Sequence, residues 1–431
     1  MLDFFENSKK NYLSLKEKFI LFTFSSLFFI WNTGNVDFKL LIIPTFFIAV
    51  YEIYIKKKNF ILLNYIIFLL LIILHIFFSS IFNDNIESKF NFRLFSAFSI
   101  ILLISLVYKD LIIKKLNIIY KLFILIFFID LVIIGFKLPS KIIKDGNLYL
   151  KNLLLSCDNG LFSEAGFFFV ENSHFAMITV PFILFKLSKK FSNNYYSNLL
   201  FIVLIIVSLI SYSTTYLLGI FLSSLLIVVK LLIIKNYNKI LVFVFAAIVS
   251  ISFIVLDKTC NKKVFQTFYS IKNFQESKLD LKKNEEESFL RVNLSTQVFK
   301  SNLVVVKESL NENNFFGIGL NNYEILHKKY KNLITATYIE ATNLNSKDAS
   351  SNLIKILGEF GVFTLIFVFC FFYYFFKYDG NFQAFVFVIS LIITQLIRGA
   401  GYYNGGFLVC ASIIILFVFS NIIKTKKIKE Y

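Results

Sequence analysis

The stretch NFILLNYIIFLLLIILHIFFSSIF, residues 59–82, contains no Asp, Glu, Lys or Arg in 24 positions. As a helix it would be about 36 Å long, enough to cross the roughly 30 Å hydrocarbon core of a bilayer. Similar apolar runs recur on both sides of it, near 15–31, 38–55, 94–108, 116–136, 174–188, 197–213, 215–234, 239–256, 353–376, 381–398 and 407–423. Hydrophobic residues make up 57% of the 431 positions, more than a soluble domain can bury. The sequence therefore predicts an all-α, polytopic membrane protein with about twelve transmembrane helices.

The basic residues predict the orientation of these spans, because cytoplasmic segments accumulate Lys and Arg. If both termini are cytoplasmic, 21 Lys lie in or next to the cytoplasmic segments, whereas the short connections on the other side have only Lys89, Arg93 and Arg398, with Lys39 at the start of the second span. We therefore expect a multi-pass protein of the plasma (inner) membrane. The net charge of +18 is assigned to the anionic lipid surface, and no nucleic-acid partner is expected.

The spacing of the spans divides the chain into five parts. They are 1–136 with helices one to five, 137–173 as an external loop, 174–257 with helices six to nine, 258–352 as a large external domain, and 353–431 with helices ten to twelve and a cytoplasmic tail. Within 258–352 an amphipathic helix is predicted, with an apolar stripe formed by Leu290, Leu294, Val298, Phe299, Leu303, Val306 and Leu310. Cys157 and Cys260 fall in the two external segments, where a disulfide is possible but not required.

Arginine usage points to candidate binding residues. Of the 45 basic residues only Arg93, Arg291 and Arg398 are Arg, and all three fall on the predicted external side. A guanidinium group is permanently charged and binds phosphate in a bidentate manner. The alternative is that three scattered arginines carry no function, and the functional interpretation is weaker for Arg93 than for the other two.

Two further groups of residues are candidates for chemistry at the membrane surface. Glu164, Glu171 and His174 lie within eleven residues at the start of a span, where partial burial can bring a carboxyl towards the pKa of a general base. Arg398 begins RGAGYYNGGF, whose tyrosines, Tyr402 and Tyr403, either stack on sugar or belong to an interfacial aromatic belt.

Other polar positions have simpler interpretations. Gly317-x-Gly319 is a weak phosphate-binding signal, and no metal-ligand motif is evident in the sequence. His75 is expected to donate a hydrogen bond between helices, and Asp130 stays ambiguous. Lys355 and Glu359 form an i,i+4 pair, for which a purely structural role is the simple interpretation.

Four stretches carry a resemblance to a known family. They are GLFSEAGFFFVENSHFAMITVPFILF (160–185), SLISYSTTYLLGIF (208–221), NNFFGIGLNNYE (313–324) with DASSNLIKILGEFGVFTLI (348–366), and RGAGYYNGGF (398–407). In this order, around one large external segment, they resemble the bacterial O-antigen polymerase and O-antigen ligase family of glycosyltransferases. The chain departs from that pattern at Ala165, where Pro is usual.

The resemblance implies a GT-C-like, metal-independent enzyme without a cofactor. Its substrate would be a glycan on undecaprenyl diphosphate, polymerised into O-antigen or capsular polysaccharide, with a chain-length regulator and a flippase as possible partners. Arg291, Arg398 and Arg93 would hold the diphosphate, and Glu164 would act as the base. His174 or His327 are the alternatives for that base, and the remaining candidates, Glu171, Gly317, Gly319, Tyr402 and Tyr403, would bind substrate.

Polymerase and ligase differ in the acceptor. Ligases of this family carry a His just before the span that follows the large segment, whereas here that place reads DASSNL (348–353), which favours the polymerase. The alternatives are an O-antigen ligase, a lipid-linked oligosaccharide flippase, and a protein that uses the segment 258–352 only for assembly contacts.

Overall fold

The structure, a computed structural model, describes residues 13–28, 41–56, 59–82, 92–155, 172–189, 195–210, 213–256, 294–312, 314–331 and 345–429. Within these ranges the protein is all-helical, with no β-strand. The first nine α-helices are α1 (Leu15–Phe28), α2 (Ile42–Ile55), α3 (Asn59–Phe82), α4 (Phe92–Lys114), α5 (Leu116–Leu155), α6 (Asn172–Leu187), α7 (Tyr195–Ile210), α8 (Thr214–Ile233) and α9 (Tyr237–Leu256). The remaining six are α10 (Leu294–Asn311), α11 (Tyr323–Tyr330), α12 (Asn352–Phe360), α13 (Thr364–Lys377), α14 (Phe382–Ile397) and α15 (Phe407–Lys429).

Each predicted span is helical over most of the residues that the structure describes, and the helical membrane class is confirmed. Among the described residues, five segments are long and apolar enough to cross a bilayer, namely Asn59–Ile81, Phe95–Lys114, Leu116–Phe136, Thr214–Ile233 and Asn352–Lys377. Further apolar helices, such as α6 and α14, are shorter. The predicted total of twelve spans stays a prediction.

Two boundaries differ from the sequence expectation. Helix α5 continues from Leu116 to Leu155, through the first half of the segment 137–173 that was predicted as an external loop. The predicted span 353–376 is broken after α12 by a 3₁₀ turn, Gly361–Phe363. Gly361 has φ 52°, and the next N–H, that of Val362, donates to the carbonyl of Phe315 at 2.8 Å. The break therefore arises from close packing against a distant turn.

Helix α6 is the centre of the apolar bundle. Its side chains from Phe175 to Phe185 are buried, as expected for a helix that is apolar all round. The ring of Phe182 stacks on that of Phe123 of α5, with 4.4 Å between the ring centres, and its centre lies 5.0 Å from that of the Phe387 ring of α14. Gly219 lets α8 come close, because a Cβ there would lie 2.8 Å from Thr394 of α14.

A second, smaller core joins α10, α11 and α12. It contains Val305, Val306, Ile318, Tyr323, Leu326, Tyr330, Ala349 and Ile354. The predicted apolar stripe of α10 is wrong in part, because Phe299 and Leu303 are 37% and 43% exposed. The buried face is rotated towards Asn302, whose side chain donates to Ser350 Oγ at 3.3 Å and accepts from the Tyr323 hydroxyl at 3.0 Å. Specific hydrogen bonds have thus placed an amide in this core.

Candidate functional site

One end of the bundle brings together two of the residues predicted from sequence. We call it the Arg398 end, the end at which α14 finishes and α6 begins. The half-buried Arg398 donates from Nε to Ser173 Oγ at 3.3 Å. The same antiparallel register continues one turn deeper, where Thr394 Oγ1 donates to the carbonyl of Met177 at 3.0 Å. His174, also half-buried, follows Ser173 directly, so Arg398 and His174 share this end.

Asp130 lies at the level of the same helix start. The rings of Phe123 and Phe127 stack on Phe182 and Phe175, at 4.4 Å and 5.7 Å, so α5 and α6 run antiparallel. Asp130 is about 4.5 Å further along α5 than Phe127, at the height of the first turn of α6, and it is fully buried. Carboxyl groups buried in apolar bundles are expensive and commonly functional.

The loop after α14, residues 398–406, is held against the start of α12. The N–H of Gly399 donates to the carbonyl of Ser350 at 3.1 Å. The fully buried amides of Asn352 and Gln395 form a chain, in which Asn352 Nδ2 donates to Gln395 Oε1 at 2.8 Å and Gln395 Nε2 donates to the carbonyl of Gly405 at 2.9 Å. These bonds set the position of the backbone that carries Arg398.

Glu359 is the buried carboxyl at the centre of the smaller core. Its Oε2 accepts from the Tyr402 hydroxyl at 2.9 Å, and its Oε1 accepts from the Tyr323 N–H at 3.3 Å. Lys355 Nζ lies 3.8 Å from Oε1 and 5.1 Å from the centre of the Tyr402 ring. Burial is the main cause that raises the pKa of Tyr402 well above its usual value, and the nearby Glu359 carboxyl adds to it. Tyr402 therefore stays a neutral hydroxyl donor.

The Gly317–Gly319 turn packs on the backbone of Glu359. Both glycines have positive φ, 70° and 85°, and a Cβ at Gly317 would lie 2.5 Å from the Glu359 carbonyl carbon. Their N–H groups donate to the carbonyls of Asn314 (3.0 Å) and Glu359 (2.9 Å). His75 bonds from Nε2 to the carbonyl of Phe316 at 2.7 Å. The partner of His75 is thus this turn, whereas a second helix was expected.

Backbone strain is concentrated in the stretch 345–351, beside the Arg398 loop. Ala349 and Ser350 have consecutive positive φ values of 56° and 61°, a conformation that costs a non-glycine residue about 1–2 kcal/mol. Both residues are buried, and Ser350 Oγ accepts from the side-chain amides of Asn302 and Asn345, each at 3.3 Å. Strain of this kind persists only where surrounding contacts hold it and is common at functional sites.

The remaining predicted site residues are placed less centrally or fall outside the described set. The hydroxyl of the half-buried Tyr403 accepts from Asn321 Nδ2 at 2.9 Å. His327 is 1% exposed within the smaller core. Burial is the main cause that lowers its pKa, and the positive charge of Lys331 lowers it further. Arg93 belongs to the first turn of α4, but its side chain is not described. Three predicted site residues, Glu164, Glu171 and Arg291, lie outside the described residues. The two cysteines of the predicted external segments, Cys157 and Cys260, do so as well.

Sequence reasoning missed the residues that connect the site. Glu359 was noted only as the partner of Lys355, although it lies in the GEFG stretch of the family resemblance. Ser173 precedes His174 and gave no signal, because one serine at a helix start is commonplace. Asn352 and Gln395 are amides inside otherwise apolar stretches, and a buried amide needs a partner, which was the available clue.

The arrangement is suited to binding an anion next to a proton acceptor. Arg398 offers a guanidinium group, and the half-buried His174 and the buried Asp130 are titratable groups at the same level. Among the described residues, no group of three or more His, Cys, Asp or Glu is placed to hold a metal ion. The chain matches no protein-family model, no curated protein and no solved structure with which it was compared.

Proposed function

We propose that the protein is a membrane glycosyltransferase that polymerises undecaprenyl-diphosphate-linked repeat units at the external face of the plasma membrane. The observation that carries the proposal is the meeting of Arg398 with the His174 turn, at the end of an apolar bundle where the smaller core also packs. A lipid-linked donor keeps its tail in the bilayer, so its reacting bond is presented at such an end. The GT-C-like architecture and the metal-independent reaction belong to the same proposal.

The proposed chemistry is a displacement at the anomeric carbon of the donor sugar. The bond from that carbon to the diphosphate oxygen breaks, a bond to the acceptor hydroxyl forms, and the hydroxyl proton passes to a base. Arg398, with Arg291 and Arg93, would stabilise the charge on the leaving diphosphate. Glu164 or His174 would take the proton, and Asp130, at the height of the same turn, would orient His174.

The directions of five helices support the proposed topology of twelve spans with both termini cytoplasmic. The C-terminal ends of α1, α3 and α14 reach the Arg398 end, as do the N-terminal ends of α6 and α15. The relevant contacts are Gly406 N–H to the Leu27 carbonyl, His75 to the Phe316 carbonyl, and Arg398 to Ser173. These helices correspond to predicted spans one, three, six, eleven and twelve. If the first span starts at the end opposite to the Arg398 end and successive spans alternate in direction, odd-numbered spans finish at the Arg398 end and even-numbered spans begin there.

The direct test is extension of a purified lipid-linked repeat unit by the purified full chain, with and without chelator. We expect a ladder of longer lipid-linked products that chelator does not reduce. Cells that lack the protein should accumulate single repeats on carriers in the outer leaflet. Carriers trapped on the cytoplasmic side would instead indicate a flippase, and long polymer without its final acceptor would indicate a ligase.

A further inference from the structure

Three lysines gather at the end of α6 opposite to the Arg398 end. Lys186 is 13 residues beyond Ser173, about 20 Å along the helix, and Lys189 follows the helix end. Lys186 Nζ lies 6.0 Å from the centre of the ring of Tyr120, the neighbour of Lys121 on α5, and Lys189 Nζ donates to Asn117, one turn earlier on the same helix. The three cations therefore form one cluster, which we call the lysine cluster.

Two of these lysines contact neutral groups. Lys186 is only 9% exposed, and its Nζ donates to Ser197 Oγ at 3.1 Å. Lys189 Nζ donates to Asn117 Oδ1 at 3.0 Å and lies 4.2 Å from the centre of the Phe185 ring. In the part of the chain that the structure describes, no carboxylate is within ion-pair distance of Lys186 or Lys189.

The two stretches of sequence that carry the cluster contain no acidic residue. Residues 111–129 contain three Lys, and residues 184–197 contain another three, with no Asp or Glu in either stretch. Helices α5 and α7 also begin here, at Leu116 and Tyr195, and helix N-termini carry partial positive charge. The C-termini of α4 and α6 also lie here and offset these partial charges, so the excess of positive charge comes from the lysine side chains.

Burying cations without counter-charge is costly. Burial, followed by repulsion from Lys186, lowers the pKa of Lys189 to about 8. A bound anion would offset both the lost hydration and the mutual repulsion. The ammonium groups, with the hydroxyl of Ser197 at the cluster, are donors of the kind that bind a phosphate with several acceptor oxygens.

We infer that the lysine cluster binds a phosphate group, either in the headgroup of an anionic phospholipid or as free phosphate. This site is separate from the Arg398 end and does not rest on the proposed function. Its chemistry is recognition of a fixed negative charge at the edge of the apolar bundle. Each lysine near an anionic lipid surface strengthens association roughly fivefold.

The test is native mass spectrometry of the full chain in a neutral detergent, with phosphatidylglycerol as the probe and zwitterionic phosphatidylcholine as the reference lipid. We expect wild-type protein to bind phosphatidylglycerol more tightly, and the Lys186→Gln/Lys189→Gln variant to lose about 25-fold in affinity. The matched control is Lys307→Gln/Lys331→Gln, two exposed lysines in the region of the smaller core, away from the lysine cluster. It has the same loss of charge and should change affinity less than threefold.

Two additions keep the result decisive. Lys189→Gln alone, which leaves the more buried Lys186 in place, should lose roughly fivefold, and Lys189→Arg should retain wild-type affinity. Competition by millimolar inorganic phosphate would identify a site that also accepts free phosphate, and lack of competition would identify the lipid headgroup as the source. Equal phosphatidylglycerol affinity in wild type and the double variant, or an equal loss in the control, would overturn the inference.

Discussion

Tyr402 donates its hydroxyl to the buried Glu359 carboxyl at 2.9 Å, although the two residues are 43 positions apart. This bond connects the Arg398 loop with α12, and through the Tyr323 N–H it reaches α11 as well. The backbone of Glu359 also supports the Gly317–Gly319 turn. Three separate stretches of the family resemblance therefore converge on one carboxyl group.

Replacing Tyr402 by Phe should destabilise the protein by about 2 kcal/mol, because a fully buried carboxyl loses a hydrogen-bond donor. The measurement is thermal unfolding in detergent. Tyr373→Phe, at a half-buried position facing Phe369, is the matched control and should unfold near the wild-type temperature. Identical unfolding of both variants would contradict the assigned bond.

Replacing Glu359 by Gln should cost about 3 kcal/mol, because it removes the negative partner of the buried Lys355. The double variant Glu359→Gln/Lys355→Met should be less destabilised than the sum of the two single variants, since the second change removes the uncompensated charge. A double-mutant cycle of unfolding free energies measures this coupling. Strict additivity would show that the two side chains do not interact.

Gly317→Ala should destabilise by about 2 kcal/mol or more, because φ is 70° and the new Cβ would meet the Glu359 backbone. Gly135→Ala is the contrasting change, since nothing lies within 4 Å of its Cβ position in helix α5. It should stabilise by about 0.5–1 kcal/mol. Unfolding temperatures that move in the same direction would refute the packing argument.

Arg398→Lys should reduce polymer extension about 100-fold without lowering the amount of protein, because Lys cannot reproduce the guanidinium fork. Arg291→Ala is expected to have the same effect. Ser173→Ala removes only a neutral acceptor of Arg398 and should stay within about fivefold of wild type. Normal chain length in both arginine variants would remove the diphosphate-binding assignment.

Phosphatidylglycerol binding should weaken as pH rises through about 8, where Lys189 loses its proton. The charged group next to it is Lys186 on α6, which repels its charge, and Lys186 in turn is repelled by Lys121 on α5. Because the folded pKa lies below the unfolded value, the unfolded chain binds more protons above pH 8, and folding stability rises with pH in that window. Lys189→Arg should abolish this change in affinity, and a pH-independent wild type would contradict the prediction.

Much of the helical architecture is readable from sequence, because the length and apolarity of a run are local properties. The start and end of α3 agree with the predicted 59–82 to the residue. In contrast, the 3₁₀ break at Gly361 depends on the Phe315 carbonyl. Likewise, the buried face of α10 depends on Ser350 and Tyr323, which hold Asn302 inside. Neither partner is close enough in the chain for periodicity to indicate it.

By itself, the sequence determined that this is a helical membrane protein and that Arg93, Arg398 and His174 fall near predicted span ends. Apolar runs suffice for that, because each turn of helix satisfies its own backbone hydrogen bonds within the lipid. Only the tertiary structure decided that Arg398 meets Ser173 and that Glu359 joins Tyr402 and Tyr323. It also decided that, among the described residues, neither Lys186 nor Lys189 has a carboxylate within ion-pair distance. These relations depend on how helices pack side by side, and that packing is set by contacts between residues far apart in the chain.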